Sequence, residues 1–72
     1  MIPNHIKFTD GQHKGLTFTR GKGPVRSFNL SGIIWEVNSP ELWYGSYGGN
    51  FLPNRCVDAA YLKQNWQIWV KA

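Results

Sequence analysis

The apolar alternation in the stretch from 25 to 38, VRSFNLSGIIWEVN, changes parity once, and this feature constrains the fold more than any other. The apolar positions before and after the change are Phe28 and Leu30, then Ile33, Trp35 and Val37. Side chains of a strand alternate between its two faces, so a change of parity requires a turn or a bulge. Ser31-Gly32 lies at the change and is the expected place for it.

A two-residue hairpin loop at Ser31-Gly32 predicts a defined register for the two strands around it. The expected opposed pairs are Phe28 with Trp35, Leu30 with Ile33, and Arg26 with Val37. One face of this ribbon is then apolar and the other mostly polar, as in a sheet covered on one side only. A glycine bulge in one bent strand is the alternative, because Ser-Gly is a weaker turn signal than Asn-Gly. We favour the hairpin and expect the rest of the chain to be organised around it.

The length of the chain predicts a single domain, 1–72, with modest stability, because a chain this short buries only about 60% of its unfolded surface. Four Trp, four Phe and three Tyr supply much of the apolar area that a small core needs. Cys56 is the only cysteine, so an intrachain disulfide is excluded. A lone thiol and an N-terminus without a secretory signal favour the cytoplasm, or the host cytoplasm if a phage encodes the protein.

The N-terminal part of the chain predicts a second hairpin. Ile6 and Phe8 alternate with polar residues, Asp10-Gly11 breaks the pattern, and a further alternating run contains Leu16 and Phe18. Two such runs around a glycine-containing loop are typical of paired antiparallel strands. After the central hairpin, a possible strand places Leu42 and Tyr44 on one face and Trp43 and Tyr47 on the other.

The C-terminal part predicts one helix followed by a strand. Asn54 is the expected N-cap of a helix over 55–64 that Asn65 ends, with Cys56, Val57, Ala60 and Tyr61 turned inward and Leu62 outward. In the following strand Trp66, Ile68 and Val70 should face in and Trp69 out. The expected fold class is therefore α+β: a small antiparallel sheet, or an SH3-like or OB-like partial barrel, of about five or six short strands, with one helix before the last strand.

The candidate catalytic and metal-binding residues do not form a recognisable site, so we expect no enzyme, no cofactor and no metal. The segment 15–22 resembles a phosphate-binding loop but has one residue too many between its glycines and no helix after it. His5, His13 and Cys56 lack the spacing of a zinc site, and the two histidines are expected to be solvated loop residues. No run approaches the 18 apolar residues of a membrane span, so no membrane partner is expected.

The net charge of +4 comes from one segment. Between positions 11 and 35 there are four basic residues and no acid, namely Lys14, Arg20, Lys22 and Arg26, while the charges of the remaining residues cancel. A local basic region of this kind attracts an acidic partner or a phosphate backbone.

Two binding functions are compatible with these features. The first is a protein-interaction module, such as an inhibitor of a larger enzyme or complex. In it Trp43, Tyr47 and Trp69, with Phe51 possible, act as anchors, and Arg20 and Lys22 steer association. The alternative is a binder of single-stranded nucleic acid in which the same aromatics stack on bases and Lys14, Arg20, Lys22 and Arg26 contact phosphates. We favour the first because four charges make a weak phosphate footprint.

Overall fold

The computed structural model describes residues 2–21, 28–30, 33–35 and 39–72, and for 28–30, 33–35, 53 and 54 the description covers the backbone. The described elements are, in chain order, β1 (His5–Phe8), β2 (Thr17–Arg20), β3 (Phe28–Leu30), β4 (Ile33–Trp35), β5 (Leu42–Tyr47), β6 (Asn50–Asp58), α1 (Ala59–Gln64), a 3₁₀ turn (Trp66–Ile68) and β7 (Trp69–Lys71).

Five of these strands form an antiparallel sheet in the order β6-β5-β2-β1-β7. Strands β6 and β7 lie at its two edges, so the sheet is open and does not close into a barrel. The α-helix α1 packs on one face of the sheet and precedes the last strand. The expected α+β class, with a small antiparallel sheet and a helix before the final strand, is confirmed. Within the described residues, no helix is long and apolar enough to cross a bilayer.

The β1–β2 hairpin follows the alternation of its sequence. Ile6 lies opposite Phe18, and Ile6, Phe8 and Phe18 are completely buried, whereas Lys7 is exposed. These three side chains share the face that α1 covers and form one cluster with Trp43, Val57 and Leu62. Burial of one face with the other left open is the arrangement that period-two alternation specifies.

The central hairpin has the predicted register but not the predicted place in the fold. Phe28 lies opposite Trp35 and Leu30 opposite Ile33, which confirms two of the pairs. The third pair and the Ser31-Gly32 loop lie outside the described residues. Strands β3 and β4 form a separate two-stranded sheet, so the expectation that the chain is organised around them is wrong. The larger sheet is built instead from hairpins on either side of this segment.

The helix begins later than the sequence predicts. Residues 55–58 belong to β6, where Cys56 lies opposite Tyr44, and α1 starts at Ala59. Asp58, not Asn54, is the N-cap: its carboxylate accepts a hydrogen bond from the Tyr61 N–H at 2.8 Å. Cys56, Val57 and Asp58 pair with β5, and this tertiary interaction overrides the local helical pattern. Asn65 ends the helix as predicted.

The shorter helix also turns a different face to the sheet. Leu62, expected to point outward, is completely buried in the core, whereas Ala60, expected inward, is exposed. Moving the start of a short helix changes which of its residues meet the sheet, because each residue advances the direction of the side chain by about 100°.

The last strand has the opposite orientation to the one expected. Trp69 lies against the core and its indole N–H donates to the Leu62 carbonyl at 2.8 Å, so it does not face out. Val70 and Trp66, expected to face in, are exposed, while Ile68 does pack against the core. The 3₁₀ turn at Trp66–Ile68 explains the error, because period-two alternation starts only after it.

Strand β6 contains an irregularity that depends on Gly45. A step of two positions along β5, from Tyr44 to Ser46, corresponds to a step of five positions along β6, from Cys56 to Phe51. At Gly45 a Cβ atom would lie 2.8 Å from the Arg55 Cβ and 3.1 Å from two atoms of the Phe18 ring. A side chain cannot occupy that space, so the absence of one allows the bulged strand to approach the core.

Candidate functional site

Two of the three tryptophan and tyrosine side chains proposed as binding anchors serve the core instead. Trp43 is 2% exposed, and its indole N–H donates to the Pro3 carbonyl at 2.9 Å. Its neighbours on β5, Leu42 and Tyr44, are also buried, so this strand is covered on both faces. Trp69 is partly buried against the same cluster. Both rings therefore contribute to the core, and their role as binding anchors stays a prediction.

Arg20 is engaged within the protein. It lies opposite Trp43 across β2 and β5, and its guanidinium carbon is 5.2 Å from the centroid of that ring. Its Nε–H donates to the Pro40 carbonyl at 2.7 Å. A guanidinium that packs on a ring face and donates to a carbonyl helps to stabilise the fold. The expected role of Arg20 in steering a partner stays a prediction.

Tyr47 and Phe51 are exposed, as expected of anchors, but they do not form one patch. Tyr47 is 66% exposed and Phe51 42% exposed, on either side of the Gly48-Gly49 turn. Tyr47 lies opposite Asn50, and Phe51 lies opposite Ser46. Because directly opposed residues share a face and neighbours along a strand do not, Tyr47 and Phe51 project from opposite faces of the sheet.

A row of residues crosses the whole sheet on the face opposite α1, and we call it the open-face row. Each member is opposed to the next in the strand register: Phe51 to Ser46, Ser46 to Thr17, Thr17 to Lys7, and Lys7 to Val70. Phe51, Lys7 and Val70 are exposed, and the two hydroxyl residues between them are half-buried. One register therefore places two apolar ends, two hydroxyls and one ammonium on a single continuous surface.

The basic residues of this surface match the charge pattern only in part. Lys7 and Lys14 line one open groove of about 490 Å³ beside Val70, with Thr9 and Gly15 completing its wall. Lys14 was a candidate, whereas Lys7 was not. Lys22 and Arg26 lie outside the described residues, and Arg20 points to the α1 side of the sheet, where it meets Trp43. The structure thus brings Lys14 together with Lys7 and separates it from Arg20.

His13 is buried, which corrects the expectation of a solvated loop histidine. The loop between β1 and β2 folds over the core face, and the imidazole, 6% exposed, packs against the rings of Phe8, Phe18 and Tyr61 at centroid distances of 5.2, 5.2 and 5.7 Å. Its Nδ1 is buried without a described hydrogen-bond partner. Burial, and secondly the positive charge of Arg55, lower the pKa of His13 below its usual value of 6.5.

His13 lies among rings, and the described residues contain no group of three or more potential metal-binding side chains. His5 lies on the open side of β1, with its Nδ1 3.4 Å from the Thr19 hydroxyl. The two histidines are therefore separated by the sheet. Their arrangement offers ring packing and a hydroxyl contact rather than a metal site.

Sequence reasoning missed Lys7, Val70 and Trp66 as surface residues. The exposure of Lys7 could have been predicted from the sequence, because Lys7 alternates with the apolar residues Ile6 and Phe8. The position of Lys7 between Thr17 and Val70 could not have been predicted, because strand order is a long-range property. The exposure of Trp66, at 64%, depends on the 3₁₀ turn.

Comparison with known proteins adds no further assignment: no family model, no curated protein and no solved structure matches this chain.

Proposed function

We propose that this chain is a non-enzymatic binding protein that contacts a protein partner through the open-face row. The observation that carries the proposal is the continuous register from Phe51 to Val70, which puts exposed apolar groups at both ends of a polar strip that includes Lys7. Apolar contacts around a central charge are suited to a protein surface that carries a complementary acid. Occlusion of the surface of a larger enzyme, as an inhibitor, is a function that needs no chemistry from the chain itself.

Charge placement supports an acidic partner. Lys7 and Lys14 share one groove, whereas Lys71 on the adjacent strand β7 is exposed on the opposite face. Asp10 is the nearby acid in sequence, and its carboxylate accepts a hydrogen bond from the Gly11 N–H at 2.8 Å. Glu41 and Asp58 lie at the other end of the sheet, at the start of β5 and the end of β6. Of the residues that the structure describes, two ammonium groups and no carboxylate line the groove, so the groove itself is positively charged.

Single-stranded nucleic acid is the second candidate, and the Lys7–Lys14 groove is the observation in its favour. Nucleic-acid platforms on sheets combine such charges with several aromatic rings on which successive bases stack. The open-face row contains one ring, that of Phe51, and Tyr47 projects from the other face. A single stacking position favours the protein partner over the nucleic acid.

Affinity capture with purified, immobilised protein tests the proposal. We expect a specific protein to be retained from a lysate of the source organism after nuclease treatment. Changing Lys7 and Lys14 together to Glu should abolish its retention, because the groove then repels an acidic surface. Lys63→Glu is the matched control for each single reversal, Lys7→Glu or Lys14→Glu, because all three change the net charge equally. Lys63 is an exposed lysine on α1, on the other side of the sheet, so its reversal should leave retention unchanged.

The outcomes separate the two candidates. Retention that disappears with nuclease, together with salt-steep binding of purified protein to a single-stranded oligonucleotide, would replace the protein partner with nucleic acid. Retention that is equally sensitive to Lys63→Glu would show that net charge, and not the open-face row, determines binding.

A further inference from the structure

The hydrogen bonds between β1 and β7 show which backbone groups of β7 point away from the sheet. Thr9 N–H donates to the Ile68 carbonyl at 2.8 Å, and Ala72 N–H donates to the His5 carbonyl at 3.0 Å. In an antiparallel pair such bonds recur at every second residue, and Lys7 lies opposite Val70 midway between them. The backbone groups of Val70 therefore face β1, and those of Trp69 and Lys71 face outward at the edge.

The two edges of the sheet differ in how well they could accept another strand. At the β6 edge, the register shift and Pro53, which has no N–H, interrupt the row of donors. At the β7 edge, Trp69–Lys71 is regular, and no hydrogen bond to the outward groups of Trp69 and Lys71 is described within the ranges that the structure covers. The β7 edge is the one suited to strand addition.

The side chains around the β7 edge indicate the chemistry of the added strand. Val70 is 50% exposed and lies beside the groove that Lys7 and Lys14 line. Lys71 is exposed on the opposite face. A strand next to β7 would place alternate side chains over that groove, where carboxylates would meet two ammonium groups.

We propose that the β7 edge binds an extended acidic segment of a partner protein by strand addition, with alternate acidic side chains over Lys7 and Lys14; this rests on the proposed function and specifies its partner. Main-chain hydrogen bonds to Trp69 and Lys71 hold the segment, and the groove selects its charge. A second copy of this chain is a poorer occupant, because edge-to-edge pairing would bring Lys71 and its neighbouring lysines close to their counterparts.

The test uses a short synthetic peptide in which glutamate alternates with threonine, titrated against the full chain. Amide hydrogen exchange followed by NMR is the decisive measurement. In the free protein the Val70 amide should exchange slowly and those of Trp69 and Lys71 rapidly; with the peptide bound, all three should exchange slowly. Peptide binding that leaves Trp69 and Lys71 in rapid exchange would overturn strand addition.

A pair of variants at Lys71 separates the backbone donor from the charge. Lys71→Ala removes the side chain beyond Cβ and keeps the backbone N–H, whereas Lys71→Pro also removes that outward N–H. Proline is tolerated at this position of an edge strand because the lost donor faces solvent. We expect Lys71→Pro to bind the peptide about fivefold or more weakly than Lys71→Ala, the effect of one hydrogen bond. Equal affinities, with both variants showing wild-type melting, would refute the proposal.

Modified peptides and the protein alone provide the remaining outcomes. Methylating one alternate set of peptide amides should abolish binding and methylating the other should not, because a strand paired along one side uses only every second N–H. Equal binding of the two methylated peptides would overturn the inference. Self-association of the wild-type protein that is lost in the Lys71→Pro variant would overturn it as well. Partner retention that persists in Lys71→Pro but is lost with glutamate at Lys7 and Lys14 would overturn strand addition while leaving the proposed function intact.

Discussion

Arg20 and Trp43 lie directly opposite each other on β2 and β5, with the guanidinium carbon of Arg20 5.2 Å from the centroid of the Trp43 ring. The tryptophan is buried, and its indole N–H donates to the Pro3 carbonyl. Two residues that composition suggests for partner binding therefore close one end of the core. The surface left for a partner lies on the other side of the sheet, along the open-face row.

The Arg20–Trp43 contact should contribute to stability. Arg20→Ala removes both the cation–π contact and the hydrogen bond to the Pro40 carbonyl, and we expect a loss of about 1–2 kcal/mol. Arg20→Lys keeps the charge but loses the planar donor, so its stability should lie between those of Arg20→Ala and the wild type. Urea unfolding followed by tryptophan fluorescence measures the difference, and unchanged midpoints in both variants would contradict a structural role.

Gly45 should not tolerate a methyl group. The Cβ of Gly45→Ala would lie 2.8 Å from the Arg55 Cβ and 3.1 Å from the Phe18 ring, which is completely buried. We expect a loss of about 1–3 kcal/mol, the usual effect of overpacking. Thermal melting by circular dichroism checks this, with Tyr47→Ala, at an exposed position of the same strand, as a control that should change little. A Gly45→Ala protein that melts like the wild type would mean that β6 relaxes freely around the bulge.

Asp58 should stabilise α1 through its side chain. Its carboxylate accepts the Tyr61 N–H at 2.8 Å, so Asp58→Ala should cost about 1 kcal/mol. Asp58→Asn keeps a capping oxygen and should cost clearly less. Chemical denaturation of both variants distinguishes capping from simple loss of charge, since equal losses would point to charge alone.

Stability should fall as the pH is lowered from about 7 towards 5, because of His13. Its folded pKa lies below the unfolded value of 6.5, mainly through burial among Phe8, Phe18 and Tyr61. Below pH 6.5 the unfolded chain therefore binds a proton that the folded protein does not. The free energy of unfolding decreases by at most about 1.4 kcal/mol per pH unit from this group, and the loss ends once the pH falls below the folded pKa.

Replacing His13 tests this pH dependence. His13→Phe should flatten the change in melting temperature between pH 7 and 5 and also removes the buried Nδ1 that has no described partner. His5→Gln, at an exposed position, is the control and should keep the dependence. An unchanged pH profile in His13→Phe would assign the effect to other groups.

Local pairing was predictable, and long-range placement was not. The pairing of Phe28 with Trp35 was predicted from the alternation around Ser31-Gly32 and is observed. The N-terminal hairpin was predicted without a register, and the structure pairs Ile6 with Phe18. The order of strands in the larger sheet joins segments far apart in the chain. That order separates β3 and β4 from the larger sheet and gives Lys7 its position beside Val70.

The same distinction applies to the errors at single residues. Trp43 was proposed as a surface anchor because a period of two allows only one buried face, whereas β5 is buried on both faces. His13 appeared solvated because its loop is polar and rich in glycine, yet the loop folds over an aromatic cluster that three separate elements supply.

The sequence by itself determined the α+β class, the two local hairpins, the strand at Leu42–Tyr47 and the end of the helix at Asn65, because each depends on neighbours within a few residues. Only the tertiary structure decided where the helix begins, which aromatic rings are buried and which lysines share a surface. Those properties depend on the pairing of β5 with β6 and of β1 with β7, and contacts between distant segments leave no periodic signal in either one.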